Sequence, residues 1–182
     1  ISKGLLKLAK RDGEKVLRKL EARIPADVPV LCLEPSCASA LKDDLPDLID
    51  DEDLGKQVSD RVWMIDDFLH QQKVPLKAKF EKLLIHGHCH QKSVFGMEGL
   101  RRLLPQAKVI DAGCCGMAGA FGYEHRDLSL KIGEDRLFPA VRKRDPGTEI
   151  VANGFSCRHQ VYEACGIMPK HFVEVIQVER GF

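Results

Sequence analysis

The segment Asp111-Ala-Gly-Cys-Cys-Gly-Met-Ala-Gly-Ala-Phe-Gly122 places two adjacent cysteines in a run of small residues that contains four glycines. Such a loop can fold tightly around a bound group, because glycine reaches backbone angles that strain other residues. Adjacent thiols are poorly placed to bond to each other, so the pair favours ligation of a soft metal or an iron–sulfur cluster. The alternative is a glycine-rich turn whose two buried thiols act as small apolar side chains.

The overall composition is that of an ordinary globular protein. The 182 residues are 44% hydrophobic and 30% charged, and the formal net charge of +1 gives no reason to expect a nucleic-acid partner. No apolar run approaches the roughly 18–20 residues that a transmembrane segment needs. The seven cysteines are an odd number, which suits metal binding in a reducing cytosol better than a disulfide framework.

Strand and helix patterns alternate along the chain. Buried strands are predicted at residues 28–33, 83–86, 108–112 and 149–153. The longest amphipathic helices are predicted at residues 2–22, 57–72 and 126–144, the last interrupted near Pro139. This alternation predicts an α/β fold with mostly parallel sheets flanked by helices.

Residues 1–37 resemble residues 121–157 at a constant offset of 120 (157 − 37). The alignment needs no gap and matches Gly13 with Gly133, Leu17 with Leu137, and the Ser-Cys pair ending at Cys37 with the pair ending at Cys157. It predicts two tandem Rossmann-like repeats, of which the first is truncated. Residues 1–79 would be the C-terminal part of a first cysteine-rich repeat plus a connector, and residues 80–182 a complete second repeat.

The repeat also carries an expectation about the sequence before Ile1. The chain opens directly on a helical pattern without methionine, and the offset places a counterpart of Cys114 about six positions upstream of Ile1 (114 − 120 = −6). We therefore expect this chain to be part of a longer protein with an earlier Cys-Cys-Gly segment. Cys37 would then be a free thiol, and the open strand edges of this fragment would favour a homodimer.

Four cysteines of the second repeat each follow a predicted strand. Because the carboxyl ends of parallel strands meet at one edge, we expect these thiols to gather there and bind an iron–sulfur cluster. They are Cys89, Cys114, Cys115 and Cys157, with Cys37 at the equivalent strand end of the first repeat. Gly113 and Gly116 are the glycines expected to wrap the cofactor. Cys32 and Cys165 are interpreted as buried apolar thiols.

Two histidines, His88 and His90, flank Cys89, and zinc accepts both donor types. A zinc-stabilised protein-interaction module without redox activity is therefore the alternative function. For each histidine taken alone, a hydrogen-bonding role around the cofactor is favoured over ligation. Cys157, at a helix N-terminus, also suits a catalytic nucleophile, but that role would leave the other three thiols unexplained. Further polar residues near the expected site are Lys92, Asp111, Tyr123 and His159.

Three motifs carry a family resemblance: His88-Cys-His-Gln-Lys92, Asp111-Ala-Gly-Cys-Cys-Gly-Met-Ala-Gly-Ala-Phe-Gly-Tyr123 and Gly154-Phe-Ser-Cys-Arg-His-Gln160. Together they resemble the cysteine-rich CCG domain family, which includes the B subunit of heterodisulfide reductase and the iron–sulfur subunit of glycolate oxidase. The residues of the three motifs are most similar to those in the C-terminal part of FAD-linked D-2-hydroxyacid (D-lactate type) dehydrogenases. The family pattern ends in Cys-x-x-Cys, whereas Gln160 stands at that last place here, which favours a simple redox relay over the double cluster of heterodisulfide reductase.

The resemblance implies an oxidoreductase in which this chain is a non-catalytic electron-transfer part that binds an iron–sulfur cluster of the 4Fe-4S type. FAD would lie on another domain or subunit, and the substrate would be a small 2-hydroxy acid such as D-lactate or glycolate. The implied partners are a flavin domain and a ferredoxin-like iron–sulfur domain of the same polypeptide or complex. The implied location is cytoplasmic, with partners that bring the protein to the inner membrane.

Overall fold

The computed structural model describes residue 1 and residues 3–179. It divides into two compact units, Ile1–Ile65 and Asp66–Phe182. The predicted helix start at Ser2 lies outside the described residues. The assignment of residues 1–79 and 80–182 to two cysteine-rich repeats stays a prediction.

The first unit is built on two short parallel strands covered by helices. Strand β1 pairs with β2, with Val30 opposite Val62 and Cys32 opposite Met64. Leu17 and Val58 are fully buried in the core of this unit. Its elements are α1 (Leu6–Arg23), β1 (Val30–Cys32), α2 (Pro35–Ser39), a π-helical turn (Ala40–Asp44), α3 (Leu45–Leu48), α4 (Glu52–Arg61) and β2 (Val62–Met64).

The single helix predicted over residues 57–72 is wrong. Helix α4 ends at Arg61, β2 follows, and α5 (Ile65–Gln71) begins only after it. The helical spacing of apolar residues continues through Val62–Met64, but the β-branched Val62 and the aromatic Trp63 also suit a strand. Pairing with β1 decides between the two, because it satisfies the backbone of both segments.

The second unit contains the sheet that organises the cysteines. Parallel strands lie in the order β5-β4-β6, and a separate antiparallel pair joins β3 to β7. After α5, the elements are β3 (Leu76–Ala78), β4 (Leu83–His86), a π-helical turn (Gln91–Phe95), α6 (Glu98–Leu103), β5 (Lys108–Val109), α7 (Phe121–Glu124), α8 (Arg126–Asp135), α9 (Leu137–Arg142), β6 (Glu149–Ala152), α10 (Phe155–Cys165), α11 (Phe172–Val175) and β7 (Ile176–Val178).

The α/β class and the mostly parallel pairing are confirmed, with two differences in the second unit. The predicted strand at residues 108–112 is shorter, since only Lys108–Val109 pairs with β4. The long helix at residues 126–144 breaks at Arg136 instead of Pro139. Pro139 lies in the first turn of α9, where the missing N–H removes no helical hydrogen bond.

The element spans agree with the offset of 120 without establishing a tandem repeat. Helix α1 corresponds to α8 and α9 together, β1 corresponds to the last three residues of β6, and α2 corresponds to the start of α10. Two tandem Rossmann-like repeats therefore stay a prediction. In the described part of the chain, no helix is long and apolar enough to cross a membrane.

Candidate metal centre

The carboxyl ends of the three parallel strands deliver the cysteines to one edge of the sheet. Strand β4 leads into Cys89, and β5 leads into the Cys114-Cys115 pair. Strand β6 leads into α10, whose first turn carries Cys157. This is the edge at which open α/β sheets bind ligands.

The four thiols form a continuous series that runs from solvent into the core. Cys89 interacts with Cys114, Cys114 with Cys115, and Cys115 with Cys157. Cys115 and Cys157 are buried, and Cys89 and Cys114 are partly exposed. The structure thus brings these four thiols into one series, and their role as cluster ligands stays a prediction. Cys115 and Cys157 also belong to the main hydrophobic core, so the inner half of the series lies in an apolar environment.

The outer thiols differ in how readily they ionise. The thiols of Cys115 and Cys89 lower the pKa of Cys114, and the backbone N–H of Gly116 adds a hydrogen bond to its Sγ at 3.2 Å. The interaction with Cys114, followed by burial, raises the pKa of Cys89. A thiolate at Cys114 is thus stabilised by donors already in place, and a thiolate is the form that binds metals.

The pKa values of the two inner thiols are also shifted in opposite directions. Interactions with Cys114 and Cys157 raise the pKa of Cys115. The Cys115 thiol lowers the pKa of Cys157, and the neighbouring imidazole of His86 lowers it further. Along the series the pKa is therefore lowered at Cys114 and Cys157 and raised at Cys89 and Cys115.

One residue of the site is absent from the sequence-based prediction. His86 is the last residue of β4, and one of its ring nitrogens lies within 4.8 Å of the Sγ atoms of Cys115 and Cys157. The pattern Leu-Leu-Ile-His predicts only a buried strand. The available signal was a histidine at the carboxyl end of an apolar strand, two residues before the His88-Cys-His segment.

The ammonium group of Lys92 holds the start of the double-cysteine loop. Its Nζ donates hydrogen bonds to the carbonyl oxygens of Ala112 and Gly113, at 2.5 and 2.8 Å. Lys92 belongs to the same motif as Cys89, so this contact joins two of the three cysteine-bearing segments. A Cβ on Gly113 would meet nothing within 4 Å, so the space around this position does not require a glycine.

Gly116 is required by its backbone and by its neighbour. Its φ of +97° is strained for other residues, and a Cβ there would collide with the carbonyl oxygen of Ser129. The buried side chain of Gln160 holds Ser129 in place against Gly116. Its Nε2 donates a hydrogen bond to Ser129 Oγ at 2.8 Å. Gln160 is therefore part of the packing under the loop.

The two predicted histidines are arranged around the first cysteine. His88 Nδ1 accepts a hydrogen bond from the backbone N–H of His90 at 3.2 Å and lies 4.0 Å from Cys89 Sγ. The imidazole packs so closely on Gly154 that a Cβ at that position would overlap it. These contacts support the hydrogen-bonding role predicted for His88, because its Nδ1 is already engaged within the loop.

A buried polar network underlies the Cys89 segment. Gln91 Nε2 donates to Asp66 Oδ2 at 2.9 Å, and Asn153 Nδ2 donates to Gln91 Oε1 at 3.3 Å. The backbone N–H of Phe172 completes the series by donating to Asn153 Oδ1 at 3.2 Å. Burial and the nearby charge of Asp67 raise the pKa of Asp66 to about 7. The network connects α5, the Cys-His-Gln segment and the end of β6.

The series includes none of the other residues that the sequence indicated. Cys37 is exposed in the first unit, so its role as a ligand stays a prediction. Cys32 is buried, as predicted, and Cys165 is half-buried in α10. The Asp111 carboxylate pairs with Arg136 at 2.9 Å. Two other residues named from the sequence, Tyr123 and His159, place their rings 6.0 Å apart.

Sequence comparison relates the chain to segments of larger oxidoreductases. It is 26% identical over 186 residues to D-2-hydroxyglutarate dehydrogenase of Pantoea ananatis, a match that covers 96% of this chain and 18% of that protein. The D-2-hydroxyglutarate dehydrogenase of Pseudomonas putida is 28% identical over 171 residues, with 87% and 16% covered. The C subunit of the anaerobic glycerol-3-phosphate dehydrogenase of Escherichia coli K12 is 24% identical over 162 residues, with 82% and 40% covered.

These relatives confirm the resemblance at a coarse level. Their names are those of dehydrogenases, as expected for an oxidoreductase, and two act on a D-2-hydroxy acid by name. The chain spans only 16–40% of their lengths. No family profile matches the chain, so membership of the CCG family is not established. No solved structure matches it either.

Proposed function

We propose that this chain is the iron–sulfur-binding, electron-transfer part of a flavin-linked oxidoreductase that oxidises a small 2-hydroxy acid. The observation that carries the proposal is the unbroken series of four thiols at the carboxyl edge of the parallel sheet. Cysteine thiolates are the usual ligands of iron–sulfur clusters, and four of them complete a cluster of the 4Fe-4S type. A turn with two buried apolar thiols would not require Cys89 and Cys157 to converge on the same place.

The donor set fits such a cluster in number, and one N–H group already donates a hydrogen bond to a ligand sulfur. Cys115 and Cys157 would be the inner ligands and Cys89 and Cys114 the outer ligands. The N–H of Gly116 already points at Cys114 Sγ, and N–H donors to sulfur are one of the means by which proteins tune cluster potentials. When bound, the cluster would supply a one-electron carrier, and the partly exposed outer thiols mark the side from which electrons enter or leave.

The oxidation of the substrate belongs to another part of the protein. The sequence lacks the Gly-x-Gly-x-x-Gly fingerprint of a dinucleotide site. The relatives are about two and a half to six times as long as their matched segments, which leaves ample room for a flavin domain. Their names support a D-2-hydroxy acid as the substrate of the whole protein, and 2-hydroxyglutarate becomes a candidate beside D-lactate and glycolate.

Anaerobic reconstitution with ferrous iron and sulfide tests the proposal. We expect the wild-type chain to bind iron and acid-labile sulfide in equal amounts, and the double variant Cys114→Ser, Cys115→Ser to bind almost none. Cys165→Ser and Cys32→Ser are matched controls that remove thiols outside the series and should bind as the wild type does. Equal iron uptake by the double variant and the wild type would refute the proposal.

A single zinc ion is a second candidate, favoured by one observation. His86, Cys115 and Cys157 place three donors within 4.8 Å of one another. Neighbouring ligands of a tetrahedral zinc ion lie about 3.5–4 Å apart, so a small closure would suffice. Elemental analysis distinguishes the candidates, because a zinc module would hold one zinc per chain, resist iron reconstitution and show no visible absorbance.

A further inference from the structure

We propose that the imidazole of His86 coordinates one iron of this cluster, so that the site has mixed cysteine and histidine ligation. The inference rests on the proposed function and puts His86 in the place of one of its four cysteine ligands, because each iron of such a cluster takes one ligand from the protein. His86 lies outside the three cysteine motifs and beside the inner thiols Cys115 and Cys157.

Burial without hydrogen bonds is the first observation. His86 is 1% exposed, and neither ring nitrogen makes a hydrogen bond of good geometry among the described residues, although the ring interacts with the Cys157 thiol. A buried polar group without a partner is costly, and such groups in native proteins call for an explanation. Ligation to iron would satisfy one of the two nitrogens.

Position is the second observation. His86 pairs with Ala152 in the register of β4 and β6, and Cys157 lies in the helix that follows β6. The ring therefore faces Cys157 from the adjacent strand end, and its nitrogen reaches the space shared with Cys115. Among the residues that the structure describes, no other histidine joins cysteines in a group with this spacing.

His88 and His90 can be compared with His86 as possible ligands. His88 Nδ1 is occupied by the backbone N–H of His90, and the rings of these two residues contact each other edge to face at 5.3 Å. Neither of these two histidines belongs to the group that His86 forms with Cys115 and Cys157. Replacement of a thiolate by imidazole removes negative charge from a cluster and raises its reduction potential, as in Rieske centres. We expect His86 to shift the potential in that direction.

Pulsed electron paramagnetic resonance of the reconstituted 182-residue chain tests the ligation. The probe is the cluster formed from ferrous iron and sulfide, measured in its paramagnetic state with and without ¹⁵N-histidine labelling. We expect a strongly coupled histidine nitrogen in the wild type. The coupling should remain in His88→Gln and His90→Gln and disappear in His86→Cys, which still offers a ligand and so can retain the cluster.

A second variant keeps the test informative if His86→Cys folds poorly. His86→Leu removes both nitrogens from an apolar site, so the metal-free chain should melt at the same or a higher temperature while its iron affinity falls at least tenfold. A cluster with no coupled nitrogen, or with a coupling that persists in His86→Cys, would overturn this inference alone. A wild type that binds no cluster, or only zinc, would overturn the proposed function together with it.

Discussion

Lys92 Nζ lies 2.8 Å from the carbonyl oxygen of Gly113, and this hydrogen bond joins the Cys-His-Gln segment to the double-cysteine loop. The two hydrogen-bonded residues are 21 positions apart in the chain, and the interaction between Cys89 and Cys114 joins the same two segments. The ammonium group also brings a full positive charge to a loop whose Cys114 favours the thiolate form. One side chain thus contributes to both the geometry and the charge of the site.

Replacement of Lys92 by methionine should weaken metal binding. Lys92→Met keeps most of the aliphatic stem but removes the hydrogen bonds to Ala112 and Gly113. Loss of supporting partners around a metal site typically reduces affinity about 10–100-fold. We expect a decrease of that size in an anaerobic iron titration. Lys131→Met, on the exposed face of α8, is the control, and equal affinity of both variants would contradict this role for Lys92.

The Gly116 position should tolerate no Cβ. Gly116→Ala combines a strained φ of +97° with a collision against the Ser129 carbonyl, and we expect unfolding free energy to fall by about 2–4 kcal/mol. Gly147→Ala provides the comparison, because Gly147 has a φ of +75° but open space around its Cβ position. The unfolding free energies of both variants, measured by chemical denaturation, separate the cost of backbone strain from the cost of the collision with Ser129. If Gly147→Ala costs as much as Gly116→Ala, contact with Ser129 is unimportant.

Asp66 should make stability fall as the pH rises. Its pKa of about 7 in the folded chain lies above the ordinary value of 3.8, so the unfolded chain releases this proton first. Between about pH 4 and pH 7 the folded state holds more protons than the unfolded state, and its stability decreases by at most about 4 kcal/mol. Above pH 7 the loss is complete.

Asp66→Asn removes that titration and keeps an acceptor for Gln91. We expect the variant to resemble the wild type near pH 4 and to be more stable than the wild type at pH 8, measured by urea unfolding at both values. Asp145→Asn, at an exposed loop position, is the matched control and should show no such divergence. A difference between Asp66→Asn and wild type that stays constant with pH would show that Asp66 is ionised throughout.

Convergence of the four cysteines could be predicted because local patterns determine it. Short apolar runs mark the strands, and each cysteine follows a run at the end that parallel pairing brings to a common edge. The position of Cys157 is further fixed by Gly154, which opens α10 and leaves room for His88.

The features that sequence reasoning missed depend on contacts between distant residues. The residues of β2 lie within a continuous helical pattern, and only their pairing with β1 makes them a strand. The Asp66–Gln91–Asn153 network joins residues 25 and 62 positions apart, and no local pattern indicates such pairs. The sequence predicts His86 only as a strand residue, because its position beside the inner thiols depends on the pairing of β4 with β6.

The stoichiometry of iron and acid-labile sulfide per chain after anaerobic reconstitution tests the central claim most directly. A cluster of the 4Fe-4S type predicts about four of each per folded chain, with visible absorbance that bleaches on one-electron reduction. One metal ion per chain without sulfide, unchanged by dithionite, would contradict the account and favour a mononuclear site such as the His86–Cys115–Cys157 group.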